Sequence, residues 1–151
     1  MKKHNYIAPR FKVKQIDCIL EPVEGQNFGL YLGDIFSAED YFTLGDLKIG
    51  AVLTCAKKTG LKYPKGAMKA HMIIPANDIP GYNIYKHLPK GIRFIEKHIQ
   101  HTNVFVHCMA GVSRSGAMVV AYIMKTKKLD FYKSMVFTRQ RRPMVYPNPG
   151  F

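Results

Sequence analysis

A cysteine and an arginine stand close together in the sequence, with a glycine between them. Five residues separate Cys108 from Arg114: Met109, Ala110, Gly111, Val112 and Ser113. A cysteine thiolate is a strong nucleophile, and the planar guanidinium of arginine binds two oxygens of a phosphoryl group. These residue types at this spacing predict a site in which a nucleophilic thiolate lies beside a bound phosphoryl group.

The segment between these two residues is suited to holding an anion. Its peptide N–H groups can surround three phosphoryl oxygens, and Gly111 lets the backbone approach them closely. The same groups, at a helix N-terminus, favour the thiolate form of Cys108. The Ser115 hydroxyl can donate a hydrogen bond to the Cys108 sulfur, which helps most when the thiolate is the leaving group. His107 is better placed to orient the loop than to act as a base.

The elements on either side must place this loop where an anion can bind. A buried strand is predicted at about 103–106, directly before the loop, and a helix at about 115–127, directly after it. A strand, a short loop and a helix N-terminus form an anion site because unpaired N–H groups and the helix dipole face the ligand.

The rest of the chain alternates apolar runs with helical patterns. Further strands are predicted at 16–20, 29–33, 49–55 and 70–74, and helices at 37–48, 84–100 and 130–141. Ser37 is the predicted cap of the first of these helices, and Pro89 is expected to divide the second. Strands that alternate with helices predict a parallel sheet covered on both faces. Ligands then lie beyond the carboxyl ends of the strands.

The stretch from His107 to Ser115, with the core Ala-Gly-Val-Ser-Arg-Ser, is similar to the signature of the cysteine-dependent protein phosphatases. It most resembles the small, atypical dual-specificity subfamily, and the similarity extends over residues 28–151. The resemblance implies an α/β fold of the protein tyrosine phosphatase type: a central, mostly parallel sheet flanked by helices, with the signature loop between a central strand and a helix. It also implies hydrolysis of phosphotyrosine and phosphoserine or phosphothreonine through a cysteinyl-phosphate.

The resemblance implies a general acid as well, an aspartate on a loop some thirty residues before the cysteine. Asp78 lies 108 − 78 = 30 residues upstream of Cys108, just past a predicted strand, and is the best candidate; Asp34 is a weaker rival. Asn148 is expected, by resemblance only, to brace the signature loop. Neither a cofactor nor a metal is implied, since Arg114 and the loop N–H groups meet the phosphate charge.

Cys55 is predicted to close a strand at the same sheet edge as the signature loop. Some relatives with a cysteine at this strand end form a disulfide with the catalytic cysteine, so one hypothesis is that Cys55 resolves an oxidised Cys108. The alternative, a small buried side chain, stays open. The chain has three cysteines, an odd and sparse set that favours reduced thiols and a cytoplasmic or nuclear location.

Composition bounds the remaining possibilities. The chain has 151 residues, enough for one domain with its own core. We divide it into a basic extension with a possible edge strand, 1–27, and a catalytic domain, 28–151. No apolar run approaches the roughly 20 residues that span a membrane. The net charge of +13 favours anionic partners. A phosphorylated protein is the expected partner, with no obligate nucleic acid, and a monomer is favoured.

Three other functions stay open. The neutral side chains of the loop argue against inositide lipids and RNA 5′ ends as substrates, whereas the net charge argues for them. A module that binds phosphoproteins without turnover would usually lack the cysteine, the arginine or the acid.

Two clusters of basic residues are interpreted as surface charge without a specific function: Lys57, Lys58, Lys62, Lys65 and Lys69, which could also contact nucleic acid, and Arg139, Arg141 and Arg142 at a helix end.

Overall fold

The computed structural model of the chain describes residues 16–79 and 82–147. Five strands in these residues form a sheet in the order β1-β2-β5-β3-β4: β1 (Ile16–Leu20), β2 (Leu30–Gly33), β3 (Ile49–Thr54), β4 (Ala70–Ile73) and β5 (Asn103–His107). β1 runs antiparallel to β2, and all other neighbours are parallel. The prediction of a mostly parallel α/β sheet is confirmed.

Helices cover both faces of this sheet. They are α1 (Ile35–Ala38), α2 (Tyr41–Asp46), α3 (Leu88–His98), α4 (Arg114–Lys127) and α5 (Phe131–Arg141), with a 3₁₀ turn at Ile84–His87. α1 and α2 pack on one face, around Val52 and Phe105. α3 and α4 pack on the other, where Ile95 and Val119 meet the larger part of the core. Among the described residues, no helix is both long and apolar enough to cross a membrane.

The central strand determines where the cysteine loop lies. β5 pairs with β2 on one side and β3 on the other, and all five of its residues are buried. A continuous apolar run is what a parallel strand covered on both faces requires. The loop that follows β5 therefore leaves the middle of the sheet at its carboxyl edge, which is where ligands bind in such folds.

The prediction of one helix at 37–48 with Ser37 as its cap is wrong. Two short helices occupy this stretch, each with an aspartate as its N-cap: Asp34 accepts from the Ser37 N–H at 2.9 Å, and Asp40 accepts from the Thr43 N–H at 3.2 Å. Because a second cap restarts the chain at Asp40, the first helix ends after one turn. Ser37 itself is buried inside α1.

The expected division of the helix around 84–100 is confirmed. The 3₁₀ turn precedes α3, and Pro89 lies in the first turn of α3. In the first turn a proline removes no intrahelical hydrogen bond, because those N–H groups have no helical acceptor. The residues of α3 that face the sheet, Phe94 and Ile95, are buried.

Candidate functional site

The peptide carbonyls of the loop between β5 and α4 all accept hydrogen bonds from groups around the loop. Cys108 O accepts from its neighbour His107, Met109 O from Ile35 N, Ala110 O and Gly111 O from Arg142, Val112 O from Tyr146 N, and Ser113 O from Ala117 N. In a trans peptide the N–H points opposite to the C=O. The N–H groups of the loop are therefore directed to its inner side, which makes a cradle for an anion.

Glycine is the residue type that this loop accommodates at position 111. Its φ of +70° lies in the left-handed region, and a Cβ there would collide with the backbone carbonyl of Gly33. The loop is thus packed directly against the end of β2. This close approach explains why the sequence has a glycine between the cysteine and the arginine.

The cysteine and the serine predicted to act together are in contact. Cys108 Sγ lies 3.0 Å from Ser115 Oγ, and both residues are buried. Ser115 stands in the first turn of α4, so its hydroxyl and the helix N-terminus both face the sulfur. The Ser115 hydroxyl is therefore within hydrogen-bonding distance of the sulfur that is predicted to attack and to leave.

One guanidinium nitrogen of Arg114 donates a hydrogen bond to the protein, and another has no described hydrogen-bond partner. Its Nη1 donates to Ala76 O at 3.1 Å. Its Nε is buried and has no hydrogen-bond partner among the described residues. A buried donor without an acceptor costs about 1–3 kcal/mol. An oxyanion above Cys108 would satisfy this donor and the loop N–H groups together.

Asp78 lies on the loop that follows β4 and is exposed. The loop is linked to the site through Ala76, two residues earlier, which accepts the hydrogen bond from Arg114. The rival carboxyl, Asp34, is buried and caps α1, and burial raises its pKa. Asn148 lies outside the described residues, although Tyr146, two residues before it, donates its N–H to Val112 O at 3.0 Å.

His107 is part of a chain of hydrogen bonds that runs from the loop toward the protein surface. Its Nδ1 lies 2.9 Å from Cys108 O, its Nε2 lies 2.7 Å from Thr54 Oγ1, and the same hydroxyl lies 2.8 Å from His71 Nε2. A carbonyl only accepts, so Nδ1 of His107 is the donor, and the neutral ring accepts from Thr54 at Nε2. Burial lowers the pKa of His107 to about 4. A neutral ring of this kind orients the loop.

The low pKa of His107 predicts a loss of stability in acid. Between about pH 6.5 and pH 4 the unfolded chain binds a proton at this residue and the native chain does not, so the free energy of unfolding falls as the pH falls through this window. A shift of this size corresponds to about 3 kcal/mol in total. Urea denaturation at pH 7 and pH 4.5 measures it. His107→Asn is expected to be less stable at pH 7, but its free energy of unfolding should fall less on acidification. In the control, His101→Asn at an exposed position, the free energy of unfolding should fall as much as in the wild type.

Cys55 directly follows β3 and is fully buried beside the cysteine loop. Its N–H donates to His107 O at 2.8 Å, and the thiols of Cys55 and Cys108 are both free. Burial, followed by the nearby charge of Cys108, raises the pKa of Cys55. Cys55 is thus held as a thiol in the ground state. Its role as a resolving cysteine stays a prediction.

The interpretation of Arg142 as surface charge is wrong. This arginine is fully buried, and its guanidinium bonds to two carbonyls of the cysteine loop and to Asp17 of β1. The spacing of residues in the sequence indicates this burial, although the cluster of charges does not. Arg142 follows Ser134 and Thr138 at intervals of four residues, and all three lie on the buried side of α5 and its C-terminal end.

Comparison with known proteins agrees with the geometry. The family model described as the dual specificity phosphatase catalytic domain matches residues 30–151. The Drosophila melanogaster dual specificity protein phosphatase MPK-4 is 36% identical over 128 residues, which cover 82% of this chain and 32% of that protein. The Arabidopsis thaliana dual specificity protein phosphatase 1B is 36% identical over 124 residues, 82% of this chain and 73% of that protein.

Some relatives are much longer than this chain. The MAP kinase phosphatase with leucine-rich repeats protein 3 of Dictyostelium discoideum is 36% identical over 82% of this chain, which spans 14% of that protein. Among solved structures, the human tyrosine phosphatase-like serine/threonine/tyrosine-interacting protein superposes with a TM-score of 0.78 at 27% identity, over 89% of each chain. The structure of DUSP15 superposes with a TM-score of 0.72 at 32% identity, over 80% of this chain and 76% of that chain. These likenesses confirm the predicted phosphatase-type fold.

Proposed function

We propose that this chain, which belongs to the dual specificity phosphatase family, hydrolyses phosphate monoesters on tyrosine, serine and threonine side chains of proteins. The observation that best supports this function is the buried Arg114 Nε without a described partner, beside a loop whose carbonyls all bond outward. Together these groups form a site for a phosphoryl dianion in contact with Cys108.

In the first step the Cys108 thiolate attacks phosphorus and the bond from phosphorus to the substrate oxygen breaks. The loop N–H groups and Arg114 stabilise the equatorial oxygens as charge develops on them. Asp78 donates its proton to the leaving oxygen, which is an alkoxide for serine and threonine and a phenolate for tyrosine. The product of this step is a cysteinyl-phosphate and a free hydroxyl group.

In the second step water attacks the same phosphorus and the sulfur leaves. The Asp78 carboxylate accepts the proton of the water, and inorganic phosphate is released. The Ser115 hydroxyl, 3.0 Å from Cys108 Sγ, donates a hydrogen bond to the departing thiolate. Ser115 thus contributes mainly to breakdown of the intermediate.

Hydrolysis of a small aryl phosphate by reduced protein, with a chelator present, tests the proposal. Phosphotyrosine and phosphothreonine peptides, inositide phosphates and a 5′-triphosphorylated RNA then define the substrate class. We expect turnover of the aryl phosphate and of both peptides. No turnover by folded, reduced protein that still binds phosphopeptide would instead identify a binding module; turnover confined to lipid or RNA would assign the phosphatase to those substrates.

Asp78→Asn is expected to reduce turnover by an amount that depends on the leaving group. An amide cannot donate the required proton, so we expect kcat to fall about 10²–10⁴-fold for a phosphothreonine peptide. The loss should be much smaller for an aryl phosphate whose phenolate is stable without protonation. Asp46→Asn, which removes an exposed carboxylate at the end of α2, is the control and should change neither rate. Equal losses for both substrates would remove Asp78 from the acid role.

The Cys55 hypothesis has a direct test. Limited peroxide treatment of the wild type, followed by peptide mass spectrometry, should yield a peptide in which Cys55 and Cys108 are joined, and activity should return with a thiol reductant. Cys55→Ser should instead lose activity irreversibly at the same peroxide dose. Irreversible oxidation of Cys108 in the wild type, without a joined peptide, would leave Cys55 with a packing role alone.

We further propose residues 28–151 as the catalytic domain and 1–27 as an extension, of which residues 16–27, with β1, are described. The family match over residues 30–151 supports the first of these bounds. From the odd and sparse set of three cysteines we also propose a reducing, cytoplasmic or nuclear location. A phosphorylated protein is the proposed partner, and we propose that the chain acts as a monomer.

A further inference from the structure

We propose that Arg142 and Asp17 are a pair of positioning residues that hold the cysteine loop in its anion-binding conformation, and that β1 is in this way coupled to phosphate affinity. The inference rests on the proposed function, because it concerns the same phosphate site. Among the described contacts, Arg142 bonds to two carbonyls of the loop and to Asp17. Their action is on the backbone of the loop.

The guanidinium of Arg142 bonds to two successive carbonyls of the loop. Its Nε donates to Gly111 O at 2.9 Å and its Nη2 donates to Ala110 O at 3.1 Å. These carbonyls belong to the same peptide planes as the N–H groups of Gly111 and Val112. Fixing the two carbonyls outward therefore fixes these two N–H groups inward, toward the phosphoryl oxygens.

An arginine suits this role and a lysine does not. The guanidinium has five donors in a rigid plane, so one side chain can hold both carbonyls and still bind a carboxylate. It also binds Asp17, with Nη1 2.8 Å from Asp17 Oδ2. A lysine would keep the charge but could not hold all three acceptors in the same geometry.

Asp17 compensates the buried charge of Arg142. The arginine side chain is fully buried, whereas that of Asp17 is one-third exposed. Removing one partner of such a pair leaves an uncompensated charge in the interior, which destabilises the local arrangement. Asp17 lies on β1, before the residues 30–151 that match the family model. A segment outside the matched region thus contributes a residue that supports the site.

The sign of the effect of Asp17→Asn separates positioning from simple electrostatics. This substitution makes the protein more positive, so electrostatics alone predicts tighter binding of inorganic phosphate. Positioning predicts weaker binding, because Arg142 loses the carboxylate that holds it in place. Direct calorimetric titration with inorganic phosphate measures the difference without any need for turnover.

We expect Asp17→Asn to weaken phosphate binding about three- to tenfold and Arg142→Lys about tenfold or more, with KM for an aryl phosphate raised in parallel. Asp17→Glu, which keeps the carboxylate, should bind within about twofold of the wild type. Two matched controls should bind like the wild type. Glu21→Gln removes the same charge from the exposed stretch after β1, and Arg141→Lys changes the exposed neighbour of Arg142, which bonds only within its own helix among the described residues.

Phosphate binding by folded Asp17→Asn that is as tight as that of the wild type, or tighter, would overturn the inference. If Asp17→Asn does not fold, phosphate binding by Arg142→Lys is measured instead, at a temperature below the unfolding midpoint of that variant. Binding as tight as that of the wild type would again overturn the inference. Phosphate binding and turnover by the wild type distinguish this outcome from failure of the proposed function. A wild type that neither binds phosphate nor turns over substrate would reject both, whereas a wild type that does both, with variants that bind equally well, would reject the positioning role alone.

Discussion

Cys108→Ser is expected to abolish turnover, lowering kcat for an aryl phosphate at least about 10⁴-fold. A serine hydroxyl at this position is not ionised near neutral pH and is a far weaker nucleophile than a thiolate. The comparison is made with reduced enzyme under saturating substrate. Cys18→Ser is the control, because Cys18 is a half-buried thiol of β1 that bonds Leu20 O and is not part of the site.

The same variant should still bind phosphate. The carbonyl contacts that shape the loop, and Arg114 with its available Nε, do not involve the sulfur. We therefore expect Cys108→Ser to form stable complexes with phosphopeptides, detectable by titration. Residual turnover within about a hundredfold of the wild type would contradict the assignment of Cys108 as the nucleophile.

Arg114→Lys is expected to lower kcat/KM about 10³-fold. The guanidinium donates through Nη1 to Ala76 O and keeps Nε for the anion, and a lysine ammonium cannot form both contacts from the same position. Charge is conserved in this substitution, so the loss reports on geometry. Steady-state kinetics with an aryl phosphate, together with phosphate titration, measures it.

Arg139→Lys is the matched control for Arg114→Lys, because Arg139 is an exposed arginine near the end of α5. It should leave both kcat/KM and phosphate affinity unchanged. Equal behaviour of the two variants would show that Arg114 supplies only general positive charge. Loss of phosphate affinity confined to Arg114→Lys would support the two-contact geometry.

The strand, loop and helix that carry Cys108 could be predicted because each is determined locally. An apolar run defines β5, Gly111 allows the turn, and the periodic apolar residues that follow define α4. The stretch 35–46 was less predictable. Asp34, Ser37 and Asp40 all have side chains that can cap a helix, and the packing of Ile35 and Ala38 around Val52 and Phe105 is not visible in the local pattern.

The residues that support the site could not be predicted in this way, because their contacts join distant parts of the chain. Arg142 and Asp17 are 125 positions apart, and Thr54 and His107 are 53 positions apart. A charged residue at a helix end is usually solvated, so local pattern alone assigns Arg142 to the surface. Only the three-dimensional structure shows that a carboxylate and two backbone carbonyls surround it.

These supporting contacts restrict the conformation of the loop. His107, Arg142 and Tyr146 bond to carbonyls of the loop from the sheet and from the chain that follows α5. A preorganised set of donors costs no reorganisation when charge develops in the transition state. The rate of the reaction should therefore depend on residues that never contact the substrate.

The central claim is that Cys108 forms a covalent bond to phosphorus during turnover, and Ser115→Ala offers the most direct test. Without the hydroxyl that stabilises the departing thiolate, the cysteinyl-phosphate should accumulate. Rapid quench of this variant, followed by peptide mass spectrometry, is predicted to find a phosphoryl group on Cys108, together with a burst of aryl product. Ser134→Ala, which removes a buried hydroxyl without a described partner, should show neither. Steady turnover by Ser115→Ala with no burst and no phosphorylated Cys108 peptide would contradict the account.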